Sequence, residues 1–148
     1  MRCRYQAAFG RLCFMALLQN YYPKRGQVLI CDFARGFVPP EMVKSRPVVV
    51  VSRNESHGRR LCTVVPCSTT EPDQLQAWHH QFTGAVLPHA KTHITVWAKC
   101  DMLYSVSFDR LDLPHIKTQH GGRKYFPIFV SPEDMAAIET CVRAFLSL

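Results

Sequence analysis

The feature that most constrains this chain is the run at residues 46–52, RPVVVVS, in which four valines follow one another without a polar break. β-branched side chains are stiff at χ1 and favour extended backbone. A half-solvated strand alternates apolar with polar residues, so an unbroken valine run reads as a strand covered on both faces. The fold must therefore supply a central strand with packing on either side.

Its neighbours in sequence have strand character too. Residues 26–33 (GQVLICDF) and 60–66 (RLCTVVP) flank it, and the third is joined to the second by the turn at residues 54–58, so the three read as an antiparallel meander. Residues 77–82, 92–98, 99–108 and 124–130 read as further extended pieces, with the Gly121-Gly122 stretch at 115–123 read as a loop. Only the end is helical in pattern. Ser131 can cap, Pro132 suits the first helical position, Asp134 sits in the first turn, and Met135, Ile138, Val142 and Phe145 share a face. About six or seven short strands closed by one helix give a mainly β fold, a small bent barrel.

A length of 148 residues suits a single core. The pattern places an appendage at residues 1–21 and the domain at residues 22–148. Arg2, Arg4 and Arg11 around a short apolar stretch make a poor secretion signal, and no run approaches the roughly 20 apolar residues that span a bilayer. Seven cysteines, with no C-x-x-C pair, fit free thiols in a reducing cytoplasm. Cys62, Cys67, His79, His80, His89 and His93 lack a familiar zinc spacing, so no metal site is expected. The net charge of +7 points to an anionic partner or to a solvated basic surface.

No phosphate-cradling glycine loop, H-E-x-x-H, G-x-S-x-G or carboxylate pair is present. What the chain does have is an ordered trio: GQVLICDF, then RPVVVVS, then Val64-Val65-Pro66-Cys67-Ser68-Thr69. In that order and spacing the trio resembles the MazF/PemK toxins of toxin–antitoxin modules. The resemblance covers residues 23–70 well, continues more loosely through residues 99–103 and the last helix, and leaves residues 1–22 unmatched. It implies an SH3-like barrel, usually a homodimer, that cleaves single-stranded RNA at short sequences with no metal or other cofactor and is held inactive by an acidic antitoxin.

Under that resemblance Arg46 falls on the family's catalytic arginine and Ser68 on its hydroxyl residue, usually threonine. Attack of a ribose 2′-OH on phosphate concentrates charge on the non-bridging oxygens, which a guanidinium with paired N–H donors stabilises. A serine hydroxyl can donate to phosphate or orient the 2′-OH. Arg35, Phe37 and Lys44 on the long loop at residues 34–45, together with Thr69, are the candidate RNA contacts, with Phe37 as a stacking platform. Thr69 and Thr70 directly after Ser68 leave the register open by one, and turn-satisfying hydroxyls are the alternative. Two rivals stand beside this reading. One is a non-enzymatic CcdB-like toxin that binds a protein, although the chain ends Phe145-Leu146-Ser147-Leu148 without that group's tryptophan. The other is a catalytically silent RNA-binding barrel.

Overall fold

A computed structural model describes residues 21–87 and 94–148, so the appendage at residues 1–21 lies, apart from Tyr21, outside the described residues. Strands β1 (Gln27–Cys31), β2 (Arg46–Val50) and β3 (Leu61–Ser68) form the expected antiparallel meander. Val49 pairs with Val28 on one side and Val65 on the other, and all three are fully buried. Each such valine contributes about 1.5–3 kcal/mol of burial.

The fold is more finely divided than the pattern suggested, with ten short strands among the described residues where the pattern gave six or seven. They are completed by β4 (His79–Gln81), β5 (Trp97–Lys99), β6 (Tyr104–Ser107), β7 (Leu111–Asp112), β8 (His115–Lys117), β9 (Arg123–Tyr125) and β10 (Ile128–Phe129). The extended piece at residues 99–108 breaks at a turn, where the Met102 N–H donates to the Lys99 carbonyl, so that β5 and β6 pair with different stretches of β3. The piece at residues 115–123, read as a loop, contains β8 and part of β9, two strands too short and too polar to stand out by periodicity.

One sheet carries eight of the strands along the path β10-β1-β2-β3-β5-β4, with β6 added to β3 and β7 to β1. It curls like a barrel, but among the described residues its two end strands do not pair. Gly26 sits at the crossing of three strands, its N–H donating to the Val50 carbonyl and its own carbonyl accepting from the Val130 N–H. Its φ of +81° is a conformation that favours glycine.

Alternation along β2 splits the interior in two. Val48 and Val50 join Leu29, Cys31, Phe33, Val64 and Phe108 inside the curl. Val49 joins Val28, Val65, Cys67 and Ala98 on the other face, where helix α1 (Pro132–Leu146) covers them with Ile138 and Cys141. Cys62 and Cys67 thus belong to opposite cores, which removes them from any shared ligand set. The five described cysteines are free and buried; burial pushes the Cys62 and Cys67 thiols up to about 12.

Two contacts hold the peripheral pieces. The loop at residues 34–45 is pinned by Phe37, whose ring meets Phe33 and Tyr104 edge-on at 5.2 and 5.4 Å while the Arg110 guanidinium lies 4.9 Å over it. Helix α1 is tied down by Asp134. Its N–H donates to the Ser131 cap at 3.1 Å, and its buried carboxylate accepts from His80 Nε2 at 2.8 Å, from the Thr83 N–H and hydroxyl, each at 3.1 Å, and from the Gly84 N–H at 3.3 Å.

Phe37→Ala should cost on the order of 2 kcal/mol in urea unfolding, below the roughly 3–5 of a fully buried phenylalanine, because this ring is only half-buried. Asp134 carries a pH signature. Burial pushes its carboxyl up, but the donors from His80, Thr83 and Gly84 outweigh burial and hold it below the usual range. A depressed folded-state pKa stabilises fully above the unfolded value of about 4, and that stability is lost as pH falls through the folded value. Asp134→Asn should therefore lower stability by about 2 kcal/mol at pH 7. The gap to wild type should narrow as thermal melts are taken below about pH 4.

Candidate functional site

The site is built by register. β1 pairs with β2 through Cys31↔Arg46, and β2 pairs with β3 through Val48↔Pro66. That ladder ends at Val48↔Pro66 and points on to Arg46, two residues earlier on β2, and Ser68, two residues later on β3, at the same end of the sheet. β3 then pairs with β5 through Ser68↔Trp97, and β5 with β4 through Gln81↔Trp97. Cys31, Arg46, Ser68, Trp97 and Gln81 thus follow one another across that end of the sheet as a row, with Arg46 and Ser68 just past the last β2–β3 pair.

Both belong to the same face, since Arg46 is two residues from Val48 and Ser68 four from Val64 along alternating strands. Arg46 is half-buried, and its Nε is out of solvent with no hydrogen-bond partner among the described residues. No carboxylate lies within 4 Å of it among those residues, whereas Arg25, Arg35, Arg60 and Arg123 each face an acid. Cys31 beside it adds no negative charge, because burial pushes its thiol up to about 12 against the pull of Arg110. The row therefore presents an uncompensated guanidinium.

Ser68 is buried, and its hydroxyl oxygen accepts the Thr70 N–H at 3.1 Å. A hydroxyl that accepts in this way keeps its own proton to donate. The turn-satisfying reading and the functional reading of Ser68 are thus compatible. Thr69 follows on the surface and, with Glu71, Gln81, Thr95 and Trp97, lines a groove of about 390 Å³ beside the row.

The loop residues are placed differently from one another. Lys44 is exposed, two residues before Arg46. Arg35 is exposed and lies 3.6 Å from the Asp32 carboxylate. Phe37 is engaged with Phe33, Tyr104 and Arg110, so its ring anchors the loop instead of lying open as a stacking surface. Arg110, which the sequence showed only as one more cation, donates to the Asp32 and Arg35 carbonyls at 3.1 and 2.7 Å and shapes the base of that loop.

The described histidines near the sheet are each engaged elsewhere. His57 is buried beyond the far end of β2, its Nδ1 donating to the Pro23 carbonyl at 2.9 Å and its Nε2 accepting from Ser52 at 2.7 Å. His80 pairs with Ala98 on β5 and is bound to Asp134. His79 accepts the Gln76 N–H and lies 3.9 Å from Asp101. His89 and His93 fall outside the described residues. No three His, Cys, Asp or Glu side chains converge among the described residues, and none of the described helices is long and apolar enough to cross a membrane.

Comparison with known proteins places the fold. The YifN protein of Escherichia coli (strain K12) is 33% identical over 112 residues, which cover 63% of this chain and 74% of that protein. MazF of Deinococcus radiodurans superposes with a TM-score of 0.61 at 12% identity, covering 87% of this chain and 100% of its own. An endoribonuclease from a mycobacterial species, solved in complex with its cognate antitoxin, gives a TM-score of 0.57 at 23% identity, with 85% and 96% covered. The family model for the PemK-like, MazF-like toxin of type II toxin–antitoxin systems matches residues 24–146, and with the meander, the row and the closing helix all inside that span, the chain belongs to this family.

Proposed function

We propose that this chain is the toxin of a toxin–antitoxin pair, a metal-independent endoribonuclease that cleaves single-stranded RNA at short sequences by attack of a 2′-OH on the adjacent phosphate. It works in the cytoplasm as a homodimer, and an acidic antitoxin segment inactivates it by competing for the RNA groove. The observation that carries the reading is the placement of Arg46 and Ser68 at the same end of the β2–β3 pair, with a guanidinium that no described acid neutralises. Family membership supports it, as do structural neighbours named as endoribonucleases, one of them bound to its antitoxin.

The chemistry follows from what each group can do. As the 2′-oxygen attacks and gives its proton to water, the P–O5′ bond breaks to leave a 2′,3′-cyclic phosphate and a 5′-hydroxyl that takes its proton from water. Arg46 meets the negative charge growing on the non-bridging oxygens with a fixed positive charge and N–H donors. An arginine keeps its proton at any accessible pH, so its role is charge stabilisation. Ser68, with its oxygen already occupied by the Thr70 N–H, donates its proton to a phosphate oxygen or holds the 2′-OH in line. Lys44, Arg35 and Thr69 at the margins contact the flanking nucleotides. Phe37 contributes by holding the loop that carries Arg35 and Lys44.

The test is cleavage of a long single-stranded RNA by purified protein in chelator, with folding of each variant checked by circular dichroism. Wild type should give discrete fragments. Arg46→Ala should lose about 10²–10³-fold in rate, the scale for removing a preorganised charge stabiliser. Ser68→Ala should lose about 10–100-fold, the worth of one hydrogen bond to a charged group. Intact RNA with folded wild type, or full activity in Arg46→Ala, would overturn the proposal.

A further inference from the structure

Between β7 and β10 the chain leaves the β1 edge and builds a separate two-stranded ribbon, β8 and β9, which pairs with no other strand among the described residues. Its residues from His115 to Lys124, HIKTQHGGRK, hold three formal cations, two histidines and no acid. Lys117, Gln119, His120 and Lys124 are exposed. The root is firm: the Phe126 N–H donates to the Pro114 carbonyl at 2.8 Å, and the His115 and Tyr125 rings lie 5.5 Å apart. The root is also close to the site. Leu111 on β7 pairs with Cys31, which pairs with Arg46, so only two strand spacings, about 10 Å, separate Arg46 from the strand that feeds the ribbon.

A lone two-stranded ribbon is marginal in water, and this one is held at its root, where Arg123 faces Asp112 at 3.5 Å, while Lys117 and Lys124 stand exposed without an acid within 4 Å among the described residues. We infer that the ribbon is an RNA-backbone arm in which Lys117 and Lys124 bind phosphates flanking the scissile site. The inference rests on the RNA-cleaving reading and extends it. Its exposed tip, residues 117–124, carries no large apolar side chain. A protein partner would find charge there without the buried anchor on which protein interfaces depend, whereas phosphates are held by charge and hydrogen bonds alone. Lys117 and Lys124 differ in parity from each other across the ribbon, so they present cations on both of its faces, as suits a strand of RNA passing over an arm.

The measurement is equilibrium binding of a twenty-nucleotide single-stranded RNA at several salt concentrations. It compares wild-type protein with the protein carrying Lys117→Gln and Lys124→Gln, on RNA whose 2′-hydroxyls are methylated so that it cannot be cut. Losing two phosphate contacts should reduce the slope of log affinity against log salt by about 1.4, with roughly tenfold weaker binding at low salt. A five-nucleotide RNA, long enough only for the Arg46–Ser68 row, should bind both proteins equally, and thermal melts should agree. An unchanged slope, or an equal loss with the short RNA, would overturn the arm, as would an unchanged slope with weakened binding of an acidic peptide. Wild-type cleavage measured alongside separates the two ideas. Cleavage with an unchanged slope removes the arm alone, while absence of both cleavage and RNA binding removes the functional reading with it.

Discussion

The hydrogen-bonded register of β2 between β1 and β3 is the constraint on which the rest of this structure depends. Val48 and Val50 must enter the curl and Val49 must meet the helix side, and all three are fully buried. A slip of one residue would exchange the two faces and carry Arg46 from the curl side of the sheet to the helix side. Slippage is unfavourable because both faces are packed, so the same burial that stabilises the strand also aims the arginine. Cys31 pairs with Arg46 through this register, and Ser68 is carried to the same end of the sheet.

Electrostatics then separates structural from functional cations. Arg25 bonds Glu139, Arg60 faces Asp109 at 3.5 Å and Arg123 faces Asp112 at the same distance, so these charges are balanced locally. Arg110 spends its donors on two backbone carbonyls and its face on Phe37. Arg46 has no such settlement among the described residues, and leaving a buried donor unpaired costs about 1–3 kcal/mol. A fold tolerates that cost at a place where a ligand's charge is to be received. A net charge of +7 therefore says less than its distribution: Arg25, Arg60, Arg110 and Arg123 are engaged within the fold, whereas Arg46 is not.

The parts of the fold that were legible in the sequence are those whose signal is local. The valine run, the two strands beside it and the Ser131-Pro132 helix start are each written in consecutive residues, and each is present. The placement of Arg46 and Ser68 at the same end of the sheet was legible only through family resemblance, since no local rule places residues 22 positions apart in one row. Phe37 was read as an open stacking ring because its loop is polar and rich in proline. Its partners, Phe33, Tyr104 and Arg110, are brought to it by three different segments. The ribbon at residues 115–125 was missed because three-residue strands with polar faces carry no usable period.

Asp134 shows how a remote element reaches the site. As a first-turn acid it was expected to serve the helix, yet its carboxylate is spent on His80, Thr83 and Gly84, which belong to β4 and the turn after it. His80 pairs with Ala98 on β5, and Ala98 pairs with Cys67 on β3, the residue before Ser68. The helix cap is thus two ladder steps from Cys67, the residue beside the candidate hydroxyl, and β4 and β5 are only three residues each. Short strands of this kind stay ordered only when something outside the ladder fixes them. The knot around Asp134 supplies that restraint, so the wall of the groove beyond Ser68 is positioned by the same carboxylate that anchors the closing helix.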